Sequence, residues 1–159
     1  MSFHTADLCD DYRDELKLAD PLFNQFGKKR NFSGPIVTVK VFEDNVLVKK
    51  ALETIPSGSV LVVDGGASRR CALMGDNLAE IAVKRKLAGV IINGCIRDSG
   101  EINEMDIGVF ALGTNPFKSI KEGKGYENLS VQFAGVDWSP GQYVYADEDG
   151  ILLAERKLI

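Results

Sequence analysis

Val60-Leu61-Val62-Val63-Asp64-Gly65-Gly66, then Gly75-Asp76-Asn77-Leu78, then Val90-Ile91-Ile92-Asn93-Gly94-Cys95-Ile96-Arg97-Asp98 form the stretch on which the fold turns. An unbroken aliphatic run such as Val60 to Val63 suits a strand covered on both faces. Asp64-Gly65-Gly66 then demands a sharp turn. From Asp76 onward, Leu78, Ile81, Ala82 and Val83 mark a helical face, with Lys84, Arg85 and Lys86 in the last turn. Acid at the start and base at the end suit the helix dipole. Gly89 is expected to end that helix, and Val90-Ile91-Ile92 to begin a second buried strand. Residues 60 to 98 therefore read as one βαβ unit with a right-handed crossover.

Outward from this unit, Leu8, Tyr12, Leu16 and Ala19 recur at helical spacing, so Thr5 to Ala19 is expected to be an amphipathic helix. Thr5 or Asp7 would cap it and Pro21 would stop it. Gly27 to Asn31 reads as a loop, and Ile36, Val37, Val39 and Val41 as a strand. Glu43-Asp44-Asn45 is expected to turn into a second apolar run, Val46-Leu47-Val48. Leu52 and Ile55 mark a short helical stretch before Pro56-Ser57-Gly58. Further on, a short helix is expected near Ile102 to Met105 and a strand at Val109 to Leu112. The tail reads as all-β: Val131 to Phe133, Tyr143 to Ala146, and Ile151 to Leu153 after the Asp149-Gly150 turn. No repeat or linker divides residues 1–159, which read as a single mixed α/β domain.

Composition narrows the chemistry. The chain has 159 residues, 45% of them hydrophobic and 26% charged, and a formal net charge of -4. That balance lacks the basic footprint of direct nucleic-acid binding. Cys9, Cys71 and Cys95 are far apart and odd in number, which argues against a disulfide scaffold or a structural zinc site. His4 is the one histidine, so catalysis would rest on carboxylates, Arg, Lys and backbone groups. The N-terminus lacks the apolar core of a signal peptide, and no apolar run reaches the roughly 18 residues of a membrane span. A cytoplasmic protein is expected.

In open α/β sheets, ligands gather at the carboxyl ends of strands. The Asp64 turn and the Gly94 to Asp98 segment mark two such ends. Between them, Gly75, Asp76, Asn77 and Leu78 open a helix whose free N–H groups suit a carboxylate or phosphate. Arg97 supplies a planar fork for a carboxylate, and Asp98 an oxygen ligand for a cation such as magnesium. Each also has a plainer reading: Asp76 as an N-cap, Arg97-Asp98 as a surface ion pair. Gly65-Gly66 lacks dinucleotide-binding spacing, and Gly123-Lys124-Gly125 lacks Walker spacing. Phe110, Phe133, Trp138 and Tyr143 read as core or interface.

Taken together, Gly75 to Leu78 and Gly94 to Asp98, with twenty residues between Asp76 and Arg97, resemble the D-x20-R-D signature of the RraA-like family. Val62 to Gly66, Glu104 to Gly108, Phe133 to Val136, and Pro140-Gly141 leading to Tyr145-Ala146-Asp147 and Asp149-Gly150-Ile151 extend the likeness along the chain. That family includes the regulator of RNase E activity A and class II 4-hydroxy-4-methyl-2-oxoglutarate aldolases. The resemblance implies a swivelling β/β/α-type domain with mixed sheets, assembled as a homotrimer with clefts between subunits. It implies a small 2-oxo acid substrate held by Gly75, Asp76, Asn77, Leu78 and Arg97. It also implies a divalent cation, magnesium or manganese, ligated by Asp98, with Glu101 acting directly or through water. Asp76 would position the water that protonates a pyruvate enolate. The implied activity is aldol cleavage, with oxaloacetate decarboxylation. The alternative is a non-catalytic protein that binds and inhibits the endoribonuclease RNase E. An older naming of such proteins as demethylmenaquinone methyltransferases finds no S-adenosylmethionine-binding glycine motif here. Arg69 and Arg70 are further candidates for a distal carboxylate.

Overall fold

The central strand β6 (Gly89–Ile96) is buried at every residue, which is why its sequence shows no polar alternation. It lies in a ten-stranded mixed sheet of the computed structural model, which describes residues 2–159. β3 (Phe32–Lys40), β4 (Val60–Asp64), β6 and β7 (Val109–Thr114) run parallel as neighbours in that order. Three helices, α2 (Val46–Thr54), α3 (Asp76–Lys84) and α4 (Ser99–Asn103), follow β3, β5 (Ala72–Met74) and β6 in the chain. The expected pairing of Val60 to Val63 with Val90 to Ile92 is present, with Val60 opposite Gly89 and Asp64 opposite Asn93.

Antiparallel strands complete the sheet. β11 (Tyr143–Asp147) joins β3, β12 (Gly150–Ala154) joins β11, and β1 (Leu16–Leu18) joins β12. At the opposite edge β2 (Asn24–Phe26) pairs with β7, while β8 (Tyr126–Glu127) pairs with the end of β3. A separate hairpin, β9 (Val131–Phe133) and β10 (Val136–Trp138), closes the architecture, in agreement with the α/β expectation.

Two cores share the parallel strands. Val48, Leu52, Ala79 and Ala82 of the helices meet Leu61, Val63, Val90 and Ile92 in one. Val60, Val62 and Ile91 meet Phe32, Trp138 and Val144 in the other. Trp138 is fully buried, stacks on Phe133 at 4.7 Å, and donates its indole N–H to the Phe133 carbonyl. Phe110 is core as expected, whereas Tyr143 is half-buried. The three thiols are free.

Five expectations are corrected. The N-terminal helix, α1, covers only Thr5–Tyr12; a 3₁₀ turn (Arg13–Glu15) follows, and Leu16 to Leu18 form β1. Leu16 satisfies helical spacing but pairs with Ala154, so ladder formation overrides local periodicity. Its expected caps also differ, because His4 occupies the N-cap position and the Thr5 N–H is taken by Asp147. Val46-Leu47-Val48 open α2 instead of a strand: Val48, Ala51, Leu52 and Ile55 are buried while Lys50 is exposed, the spacing of three and four residues that a helix face produces and strand alternation does not. Gly89 lies in β6, and a Cβ on it would come within 2.4 Å of the Phe32 ring. α3 instead ends through Lys86 in the left-handed region. Finally, α4 begins at Ser99, three residues before the expected start. β2, β5, β8 and β10, of two or three residues each, have no counterpart among the expected elements.

Candidate active site

β5 pairs in parallel with the end of β6, placing Ala72 beside Cys95 and Met74 beside Ile96. Their carboxyl ends therefore emerge together, with Gly75 after one and Arg97-Asp98 after the other. The Arg97 N–H binds the Met74 carbonyl at 3.0 Å and fixes this juxtaposition. Gly75 makes the close approach possible, since a Cβ there would lie 2.7 Å from Asp98 Oδ2 and 3.3 Å from Arg97 Cγ. Asp98 adopts left-handed backbone angles, φ 55° and ψ 39°, where the chain leaves β6 for α4.

Gly75, Asp76, Asn77, Leu78, Arg97 and Asp98 all line one cleft of about 620 Å³. The expected substrate-binding set is thus assembled in space; Glu101 does not line the cleft. The helix start differs from the expected row of free donors. Asp98 Oδ2 accepts the Asp76 N–H at 3.1 Å, and Asp76 Oδ1 accepts the Asn77 N–H at 2.8 Å. Among the described residues no acceptor meets the Leu78 N–H. Arg97 is half-buried, and its Nη1 makes only a long 3.4 Å bond to the Pro116 carbonyl, leaving most of its donors open.

The carboxylates are electrostatically unequal. Hydrogen bonding with Asp98 raises the Asp76 carboxyl above its ordinary range, aided by desolvation and by the charges of Asp98 and Glu101. The Asp98 carboxyl is held low, first by the Asp76 N–H and also by its bond to the Asp76 side chain and the charge of Arg97. Glu101 therefore acts on this pair through space. Among the described residues, no group of three or more His, Cys, Asp or Glu side chains is arranged to hold a metal ion. A paired-carboxylate site still fits magnesium, which takes hard oxygen ligands, retains several waters and needs few protein groups. Asp98, with Asp76 beside it, is the donor set that fits.

Two expected candidates lie elsewhere. The Asp64 turn does not line the cleft; Asp64 Oδ1 accepts the Gly66 N–H at 3.0 Å and the Asn93 amide at 3.1 Å. Arg69 binds the Leu112 carbonyl, and Arg70 pairs with Glu43 at 2.6 Å over the Phe42 ring. Conversely, Asn45, Lys49, Lys118, Ser119 and Lys121 line the cleft without having been singled out. They carry no motif. The segment from Phe117 to Lys121 reaches the cleft because the Ala72 N–H binds the Phe117 carbonyl at 2.8 Å and the Ile120 N–H binds the Glu43 carbonyl at 2.9 Å.

Comparison with known proteins places this geometry in a family. A Bacillus cereus protein named "Putative 4-hydroxy-4-methyl-2-oxoglutarate aldolase" is 58% identical over 154 residues, covering 97% of each chain. An Arabidopsis thaliana protein, "Putative 4-hydroxy-4-methyl-2-oxoglutarate aldolase 3", is 49% identical over 99% of each. Among solved structures, a Geobacillus kaustophilus protein described as an S-adenosylmethionine:2-dimethylmenaquinone methyltransferase superposes with a TM-score of 0.97 at 62% identity, covering 98% of this chain and 97% of its own. The RNA-processing inhibitor RraA from Thermus thermophilus gives 0.95 at 44% identity, covering 100% of this chain and 96% of its own. These names disagree about activity while the fold is shared. The RraA-like family model, Aldolase/RraA, matches residues 5–153, and the chain belongs to that family.

Proposed function

We propose that this protein is a divalent-metal-dependent carbon–carbon lyase that cleaves 4-hydroxy-4-methyl-2-oxoglutarate into two pyruvates and decarboxylates oxaloacetate. The observation that carries the proposal is the convergence of Arg97, the α3 start and the Asp76–Asp98 pair in one cleft. The names of relatives at 58% and 49% identity support it. The Arg97 fork grips the substrate's 2-oxo carboxylate, with the Leu78 N–H as a further donor. A bound magnesium or manganese, held by Asp98, supplies Lewis-acid polarisation of the 2-oxo group. Breaking the C3–C4 bond leaves the electron pair on C3 as the enolate of one pyruvate, while the 4-hydroxyl passes its proton to water and becomes the keto group of the other. Asp76 positions the water that returns a proton to C3, a role requiring no histidine.

The test is pyruvate release with magnesium or manganese, with and without a chelator. Metal-dependent turnover that collapses in Arg97→Ala and Asp98→Ala is expected; unchanged turnover in those variants would overturn the assignment. Exposed apolar side chains beside the cleft, Phe117 at 73% and Ile120 at 53%, support self-assembly, as a homotrimer that sedimentation would reveal as three copies of the chain. No helix among the described residues is long and apolar enough to cross a membrane. A second reading, inhibition of RNase E by protein contact, is favoured by the likeness to the Thermus inhibitor and by the net charge of -4. Failure to retain RNase E at low salt would exclude it.

A further inference from the structure

The cleft has a second wall that the proposed chemistry does not use. Although the chain is net acidic, five cationic side chains line the cleft against three anionic ones. Lys50 is neutralised by Glu127 at 3.0 Å. Among the described residues, Lys49, Lys118 and Lys121 have no carboxylate partner. Lys121 is instead steered by Asn45, whose Oδ1 accepts from its ammonium at 3.0 Å while its Nδ2 donates to the Leu73 carbonyl. Between Lys118 and Lys121 stands Ser119, only 5% exposed. Its Oγ is the one buried side-chain polar atom among the described residues without a hydrogen-bond partner. Native interiors seldom leave such a group unmet, and this one lies in a residue lining the cleft between two cations.

We propose that Lys118, Ser119 and Lys121, with Lys49 lining the same cleft, form a second anion subsite that takes the distal carboxylate of a dicarboxylic 2-oxo acid. The inference rests on the lyase reading for the placement of the first carboxylate at Arg97. Arg97 Nη1 contacts the Pro116 carbonyl, and Lys118 follows two residues later, a chain separation of at most about 7 Å. That bound applies to the backbone, and the flexible Lys118 side chain extends from it into the cleft that Arg97 also lines, so one short dicarboxylate can meet both. The Ser119 hydroxyl has one torsion through which to meet such a ligand, and its donation would complement the ammonium charges. The subsite would make the enzyme discriminate by charge at C5 rather than by shape.

Equilibrium binding tests this separately from turnover. Wild type and variants are titrated with 2-oxoglutarate and with 2-oxopentanoate, which lacks the distal charge, in magnesium-containing buffer. Wild type is expected to prefer 2-oxoglutarate by tenfold or more. Lys118→Gln combined with Lys121→Gln should abolish the preference, while 2-oxopentanoate affinity stays within twofold. Ser119→Ala should weaken 2-oxoglutarate binding about threefold without lowering apo-protein melting temperature, an effect that a merely structural serine would not produce. Lys157→Gln, an exposed cation away from the cleft, should change nothing. A preference retained in the double lysine variant, or absent from wild type, would overturn the subsite. Lysine-dependent preference without any turnover of 4-hydroxy-4-methyl-2-oxoglutarate would uphold the subsite and sink the lyase assignment. Turnover indifferent to the lysines would do the reverse.

Discussion

Two helices in this protein begin on a carboxylate borrowed from far along the chain, and they differ in what remains of it. At α1, Asp147 accepts the Thr5 N–H at 2.8 Å and the Thr5 hydroxyl at 2.7 Å, and its Oδ1 also takes the Asp149 N–H at 2.9 Å. Burial pushes the Asp147 carboxyl up, but these accepted bonds outweigh it and hold the group below its ordinary range. At α3, Asp98 accepts the Asp76 N–H in an exposed setting and faces a second carboxylate with unfilled acceptor capacity. A saturated, buried carboxylate fastens an element in place; an unsaturated pair at a cleft mouth is available to a cation or a ligand. The same capping geometry thus anchors α1 and leaves an open carboxylate pair at the start of α3.

The comparison breaks if activity does not follow the cleft. Arg97→Ala should lower kcat/KM for 4-hydroxy-4-methyl-2-oxoglutarate on the order of 10²- to 10³-fold, measured by coupled pyruvate release, with little change in melting temperature. Asp147→Ala should do the opposite, costing about 2–3 kcal/mol in urea unfolding while the folded fraction keeps its activity. Between these lies Gly75→Ala, whose methyl group would intrude on Asp98 and Arg97. Turnover should fall roughly ten- to hundredfold, with stability altered by no more than about 1–2 kcal/mol.

A pH series sharpens the contrast. Because the folded-state pKa of Asp147 is depressed, its stabilisation is fully present above the ordinary carboxylate value and is lost as pH falls through the folded value. Urea midpoints should therefore drop on acidification in wild type, and the drop should be shallower in Asp147→Asn. The smallest effect is expected where a charge pair sits in neither setting. Lys84→Gln removes the exposed 3.4 Å pair with Glu80 on α3, and stability should stay within about 0.5 kcal/mol.

Much of the parallel unit was legible because its residues have few alternatives. Val60 to Val63 and Val90 to Ile92 are too apolar to stand in water, and Gly75 and Asp98 mark where the chain must turn. The D-x20-R-D spacing identified six of the cleft residues for the same reason: they sit at the ends of strongly patterned elements. Legibility failed where local pattern was ambiguous. Val46-Leu47-Val48 suit a strand by side-chain type, yet bury as a helix because Val48, Ala51, Leu52 and Ile55 fall on one helical face with Lys50 outside it. Leu16 fits a helix by spacing, yet β12 offers it a ladder.

Charge, the scarcity of histidine, the buried strands and the Asp76–Arg97–Asp98 arrangement all follow from residue identity and short-range spacing, which act before any distant contact forms. The meeting of Lys118, Ser119 and Lys121 with that arrangement does not. It depends on Ala72 and Glu43 binding a loop more than forty residues away from either, and no local periodicity encodes such a contact. The same holds for Asp147 at the head of α1, across 142 positions of chain. Hydrogen bonds between distant segments acquire their value only when folding has removed the competing water, so they were settled by the assembled core.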